Sequence, residues 1–299
     1  MKVVVTGSSG MIGGALVPAL KAAGHDVTRL VRRAPSAGEI EWDPEKGTLD
    51  PKALDGVQAA INLAGANIAT RWTDRAKREI RASRVGGTKL LAETLARASP
   101  KPDVLLSISA VGYYGDRGDE VLNESSGPGT GFLPSLSQDW EAAADAARAA
   151  GIRVVHPRLG IVLSRHGGAL AKLLPPFKLG VGGKLGPGTQ WMSWIALDDV
   201  LGALLHLLQT AAVSGPVNLV APRAVRNSEF TQVLAHVLSR PALFTVPAPA
   251  LYLVYGREMP KEALLASTRA IPQRLDESGY AFKYPALETA LRKVLERER

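Results

Sequence analysis

Gly7, Gly10 and Gly13 stand three apart, directly behind the apolar run from Lys2 to Val5 and directly before Met11 to Ala23, a stretch of helical composition closed by Gly24. A strand that turns on glycine into a helix lets the backbone come close to a diphosphate, and the helix's first N–H groups and dipole favour the anion. The pattern predicts a dinucleotide site formed by Gly7, Ser8, Ser9, Gly10, Met11, Ile12 and Gly13. At the end of the next strand, an acidic residue would accept from a ribose 2′-hydroxyl. Here Asp26 to Val31 runs instead into Arg32 and Arg33. A guanidinium cannot accept that bond but can grip a 2′-phosphate, so the expected cofactor is NADP in preference to NAD, with Arg32 as the main ligand.

Further along, Asn62-Leu63-Ala64-Gly65-Ala66 closes a strand in small residues that permit close approach to a ribose or nicotinamide, which nominates Leu63, Ala64 and Gly65. Ser109 ends a later strand near the expected nicotinamide, and Tyr113 and Tyr114 follow it. These three are the candidates for acid–base work; packing against cofactor or substrate is the competing account for the tyrosines. Arg71 beside Trp72 could clamp an anionic or ring-shaped ligand, or simply anchor a helix start. Gln190, Trp191 and Trp194 follow a loop with five glycines between Gly180 and Gly188, and either close over substrate or anchor a smaller lobe. The five histidines lack a metal-ligand spacing and there is no cysteine, so neither a metal nor thiol chemistry is expected.

These residues need elements to hold them. Strands are expected at Lys2–Val5, Asp26–Val31, Gln58–Leu63, Val104–Ser109 and Arg153–His156, with at most a short one near Ile40–Trp42. Helices are expected at Met11–Ala23, Asp74–Arg97 and Trp140–Ala150. Strands alternating with helices of this length predict βαβ units, a parallel sheet and a ligand at its carboxyl edge. The expected fold is α/β: a Rossmann-like doubly wound parallel sheet with a smaller C-terminal substrate lobe. Residues 1–165 form the NADP-binding domain, segment 191–222 returns to it, and 166–190 with 223–299 build the lobe.

The glycine pattern and the Ala-Gly segment resemble the short-chain dehydrogenase/reductase superfamily. Asn67-Ile68, Arg71-Trp72, Ser83-Arg84-Val85, Ser109 to Asp116 and Gln190 to Ile195 are similar to a narrower branch of it. That branch is the extended-type "epimerase family protein" group, described as nucleoside-diphosphate-sugar epimerases with a small C-terminal domain. Pro272 to Leu275, Gly279 to Phe282 and Pro285 to Leu287 carry the resemblance to the end of the chain. It implies cofactor contacts from Arg84, Ser107, Pro157 and Arg158, with the Arg158 side chain itself structural, and substrate contacts from Asn67, Arg71, Trp72, Trp140, Gln190, Trp191 and Trp194. Active members of the superfamily use Ser, Tyr and Lys, the last two four apart on one helical face. The corresponding helix carries Leu136 and Trp140, neither of which can transfer a proton at neutral pH. Glu141, the lone carboxylate on that part of the helix, reads as an exposed side chain.

The excess of 36 Lys plus Arg over 28 Asp plus Glu gives +8, a sign compatible with an anionic ligand, nucleic acid or a membrane surface. Basic residues are densest from Arg71 to Lys89, where interleaved acids and missing aromatics argue for a solvated helix face. The N-terminus lacks a leader pattern and no apolar run reaches the ~18 residues of a membrane span. We therefore expect a cytoplasmic protein with a small-molecule substrate, partnered by neither nucleic acid nor membrane, with a homodimer as the assembly to test. Two functions fit: an NADP-dependent oxidoreductase or epimerase acting on a hydroxyl or carbonyl of a polar small molecule, such as a nucleotide sugar, or a catalytically silent NADP-binding sensor or scaffold.

Overall fold

The computed structural model describes residues 1–296. Its elements are β1 (Lys2–Thr6), α1 (Met11–Ala22), β2 (Asp26–Val31), β3 (Glu39–Glu41), β4 (Ala59–Asn62), α2 (Asp74–Arg81), α3 (Gly87–Leu95), β5 (Val104–Ser107), β6 (Ser109–Ala110), β7 (Val121–Leu122), α4 (Phe132–Ala142), α5 (Asp145–Ala149), β8 (Arg153–Leu159) and β9 (Ile161–Leu163). There follow α6 (Gly168–Lys178), β10 (Gly183–Leu185), β11 (Trp191–Met192), β12 (Trp194–Ala196), α7 (Leu197–Gln209), β13 (Gly215–Leu219), β14 (Val225–Arg226), α8 (Asn227–Leu238), β15 (Phe244–Val246), α9 (Ala248–Tyr255), β16 (Arg269–Ala270), α10 (Gln273–Glu277) and α11 (Leu287–Val294).

The main sheet has the order β3-β2-β1-β4-β5-β8-β13, and its strands pair in parallel throughout. Because a strand's side chains alternate, each strand serves two cores. Val3, Val5, Ile61 and Leu106 pack towards α1 and α7, while Val4, Ala60, Leu105 and Val154 pack towards α3 and α5. This is the doubly wound α/β fold. Its strand order reverses between β1 and β4, where Thr6 and Asn62 lie in register, so the crevice at the switch point opens between Gly7 and Leu63.

A further apolar core joins α6, α8 and α11 around Trp194. Two carboxylates tie the C-terminal part of the chain to the rest of the fold. Asp199, fully buried at the start of α7, accepts from the backbone N–H groups of Lys283 and Tyr284 and from the Tyr280 hydroxyl. Glu262 accepts from the N–H groups of Phe132 and Leu133 at 3.1 and 2.9 Å. Gly131 has no side chain with which to cap α4, so a carboxylate 130 residues away in sequence does it.

Two helices differ from the sequence expectation. The stretch from Asp74 is broken at Ala82–Gly86 by a wide π turn, which brings Ser83 and Arg84 to Ala66: the Ser83 hydroxyl accepts from its N–H and Arg84 donates to its carbonyl. The helix bearing Trp140 starts eight residues earlier than expected, at Phe132, and ends at Ala142. Pro134 falls in its first turn, where a missing N–H costs nothing.

Candidate functional site

The glycine turn is built to keep side chains out. Gly7 has φ +61°, and a Cβ there would lie 2.7 Å from the Leu63 carbonyl; a Cβ on Gly13 would sit 2.2 Å from the Gly7 oxygen. Gly10 is the N-cap of α1 and supplies no side-chain cap, so the helix's leading N–H groups remain for an external acceptor. Ser8 is buried, Ser9 is exposed, and Met11 and Ile12 are half-buried. At the end of β2, Arg33 donates to Glu39 at 2.7 Å and to the Ala34 carbonyl. Arg32 is exposed and, among the described residues, has no partner. A crowded backbone cradle, an uncapped helix start and one uncommitted guanidinium fit a phosphorylated dinucleotide.

Across the crevice, the Thr6 hydroxyl donates to Asn62 Oδ1 at 2.7 Å and accepts from the N–H groups of Leu63 and Ala64. Asn62 Nδ2 and the Trp140 indole N–H both donate to Thr88 Oγ1, at 2.7 and 3.0 Å. Trp140 is thereby fixed in the core by its polar atom. Over its ring, at 5.1 Å, lies the Arg84 guanidinium, which also covers Gly65. Among the described residues Arg84 donates only to the backbone carbonyls of Ile80 and Ala66, and burial pushes its pKa down to about 10.

The second cluster gathers around Ser109. Its hydroxyl donates to Glu141 Oε1 at 2.8 Å. Arg158 grips the same carboxylate with both arms, Nε to Oε1 and Nη2 to Oε2, each at 2.8 Å. Only 3% of the Arg158 side chain and 14% of Glu141's is exposed, which makes this an enclosed ion pair. Although burial opposes the charge, Glu141 and Tyr114 hold the Arg158 pKa above its ordinary value. The remaining arm donates to Tyr114 Oη at 3.0 Å, and Tyr114 donates to Asn218 Oδ1 at 2.8 Å. Tyr114 is fully buried, and desolvation raises its pKa. Tyr113 differs: its ring carries the Arg158 guanidinium 3.5 Å from the centroid, while its hydroxyl has no partner among the described residues.

Glu141 corrects the sequence expectation of an exposed helical carboxylate. Its partner sits on β8, 17 residues away, and becomes its neighbour only when α4 docks on the sheet. Asn218 and Thr88, which the sequence reading also missed, offer no local signal because each is an ordinary polar residue until the strands pair. Ser107 is buried at the end of β5 with its hydroxyl unpartnered among the described residues, and Pro157 is buried in β8 opposite Val217.

Other candidates lie elsewhere. Trp72 packs edge-on to Phe132 in a cluster with Leu136 and Met259, its N–H given to the Ile68 carbonyl. Arg71 is exposed and lies along Gly256, and exposed Asn67 bonds the N–H of Ala69. Gln190 donates to the carbonyls of Leu185 and Leu264, and Trp194 to that of Arg223. Trp191 donates to Asp119 at 2.7 Å and has the guanidinium groups of Arg226 and Arg269 4.6 and 4.4 Å from its ring. Among the described residues no cluster suited to a metal ion occurs.

Comparison with known proteins gives a consistent picture. Residues 3–220 match the model of the NAD dependent epimerase/dehydratase family, and residues 246–294 match a domain of unknown function, DUF1731. An epimerase family protein of Mycobacterium bovis is 44% identical over 97% of this chain and 96% of its own. The human epimerase family protein SDR39U1 is 38% identical over 99% of this chain and all of its own. A crystal structure of human SDR39U1 with NADPH superposes with a TM-score of 0.91 at 36% identity, covering both chains in full. A nucleoside-diphosphate sugar epimerase of Corynebacterium glutamicum superposes at 0.83 and 38% identity, over all of this chain and 59% of that one.

Proposed function

The chain belongs to the NAD dependent epimerase/dehydratase family, and from that premise we propose that it is an NADP-dependent oxidoreductase or epimerase acting on a hydroxyl or carbonyl of a polar small molecule. The solved relative with NADPH and the partnerless Arg32 support NADP over NAD, and the sugar-nucleotide epimerase among the similar structures supports a nucleotide sugar as the first substrate class to try. Gly7, Gly10, Gly13 and the start of α1 would hold the diphosphate, Arg32 the 2′-phosphate, and Leu63 to Gly65 with Arg84 the nicotinamide half. Bound there, the nicotinamide supplies or accepts hydride at C4.

The observation that carries the proposal is the division of labour around Ser109. Its proton is committed to Glu141, which Arg158 fixes in place, so towards a substrate Ser109 presents lone pairs and orients a hydroxyl group. Tyr114 is spent on Arg158 and Asn218, whereas the Tyr113 hydroxyl has no partner among the described residues and is the group to give or take the substrate's proton.

The test is NADPH absorbance across a panel of carbonyl compounds and sugar nucleotides. Turnover of at least one, with Tyr113→Phe slowing it about a hundredfold at unchanged NADPH affinity, is expected from the usual worth of a positioned acid or base. Full turnover by that variant refutes the Tyr113 assignment. The silent sensor is the second reading, favoured by Leu136 and by an indole N–H at position 140 that is committed to Thr88. NADPH bound tightly yet untouched by the whole panel would select it.

A further inference from the structure

Seven large apolar side chains are strongly exposed among the described residues, and six of them fall at positions 179–181 and 243–254. Such clustering is unlike the scattered exposure of an ordinary surface. Leu179 is 78% exposed, Val181 53%, Leu243 88% and Phe244 55%. The two stretches are held side by side: β10 pairs with β15 with Gly183 opposite Phe244, Gly180 adjoins Pro241, and Arg240 donates to the Lys178 carbonyl at 3.0 Å. Leu179, Val181, Leu243 and Phe244 thus form one patch, and the chain continues into α9, which exposes Leu253 and Val254.

The charges carried by these two segments have one sign. Residues 167–190 contain Lys172, Lys178 and Lys184 but no Asp or Glu, and residues 239–257 contain Arg240 and Arg257 but again no acid. Among the described residues none of these five cations pairs with a carboxylate. The acids that follow are committed, Glu258 to Lys77 and Glu262 to the start of α4. A self-complementary contact with a second copy would bring Lys178, Lys184 and Arg240 of both copies into one interface with no acid from these segments to offset them, which disfavours a dimer through this face. Protruding Leu, Val and Phe side chains on segments whose only charges are Lys and Arg match the interface of an anionic bilayer, where apolar groups enter the headgroup boundary and cations meet the lipid charge.

We propose that this face docks reversibly on an anionic lipid surface. Among the described residues no helix is long and apolar enough to cross a membrane, so the contact is peripheral. It departs from the sequence expectation of no membrane partner, because no local pattern in the sequence shows that the fold leaves Leu179 and Phe244 exposed.

Co-sedimentation of the full chain with vesicles of phosphatidylcholine, with and without about one-third phosphatidylglycerol, tests it. Binding to the anionic vesicles alone, lost at high salt, is expected. Each basic residue removed should weaken it about fivefold, so Lys178→Ala with Arg240→Ala gives about 25-fold. Leu243→Ser with Phe244→Ser should weaken it at least tenfold while the thermal midpoint stays at the wild-type value. Absence of binding, equal binding to neutral vesicles, or retention by both variants overturns the proposal. So does a concentration-dependent dimer that Leu243→Ser dissociates, which would assign the patch to a second copy.

Discussion

Replacing Glu141 by Gln removes one charge from an enclosed ion pair while keeping the side chain's shape. Arg158 would retain the Tyr114 oxygen and the faces of two tyrosine rings, but its two-armed grip at 2.8 Å would lose the anion. Removing one partner of a buried pair costs about 3–5 kcal/mol, because the other charge is left uncompensated. Glu141 keeps 14% exposure and the glutamine oxygen can still accept one bond, so the lower end applies, about 3 kcal/mol. At about 2.1 cal/mol/K of unfolding entropy per residue, a chain of 299 residues shifts its melting temperature by roughly 1.6 °C per kcal/mol, so the midpoint should fall by about 5 °C. Urea unfolding and thermal scans at neutral pH read the effect directly. The double change Glu141→Leu with Arg158→Met leaves no lone charge and should recover about half of the loss relative to the sum of the single changes. A Glu141→Gln protein as stable as wild type, or strict additivity in the double variant, would refute the reasoning.

Arg32→Asp should weaken NADPH binding at least tenfold and leave NADH binding unchanged or improved, as measured by cofactor fluorescence. Equal loss of both cofactors would show that Arg32 does not read the 2′-phosphate. His156 gives a pH prediction. It is 2% exposed, and burial, the largest influence on it, holds its pKa below the ordinary 6.5. The folded chain therefore resists a proton that the unfolded chain takes up. Its contribution to stability is complete above pH 6.5 and is lost as pH falls through and below that value. His156→Gln should flatten the fall in urea midpoint between pH 6.5 and 5, and parallel curves for the two proteins would contradict it.

What could be read along the chain was whatever local spacing enforces. The glycine turn is one strand, one loop and one helix, so Gly7, Gly10 and Gly13 carry their meaning before anything else folds. The proposal for Arg32, one residue past β2, has the same local basis. Glu141, Asn218 and Glu262 act through partners far away in sequence, and their chemistry exists only after α4, β8, β13 and the C-terminal segment have docked. Trp140 shows how far such a residue can mislead. Where the family resemblance leads one to expect a lysine, the fold has an indole anchored to Thr88 and a guanidinium 5.1 Å above it, delivered by the π turn after α2. A lysine at 140 would set two cations in one enclosed space. The two differences therefore belong together: the positive charge comes from Arg84 on a neighbouring helix, and the tryptophan supplies the face on which it rests.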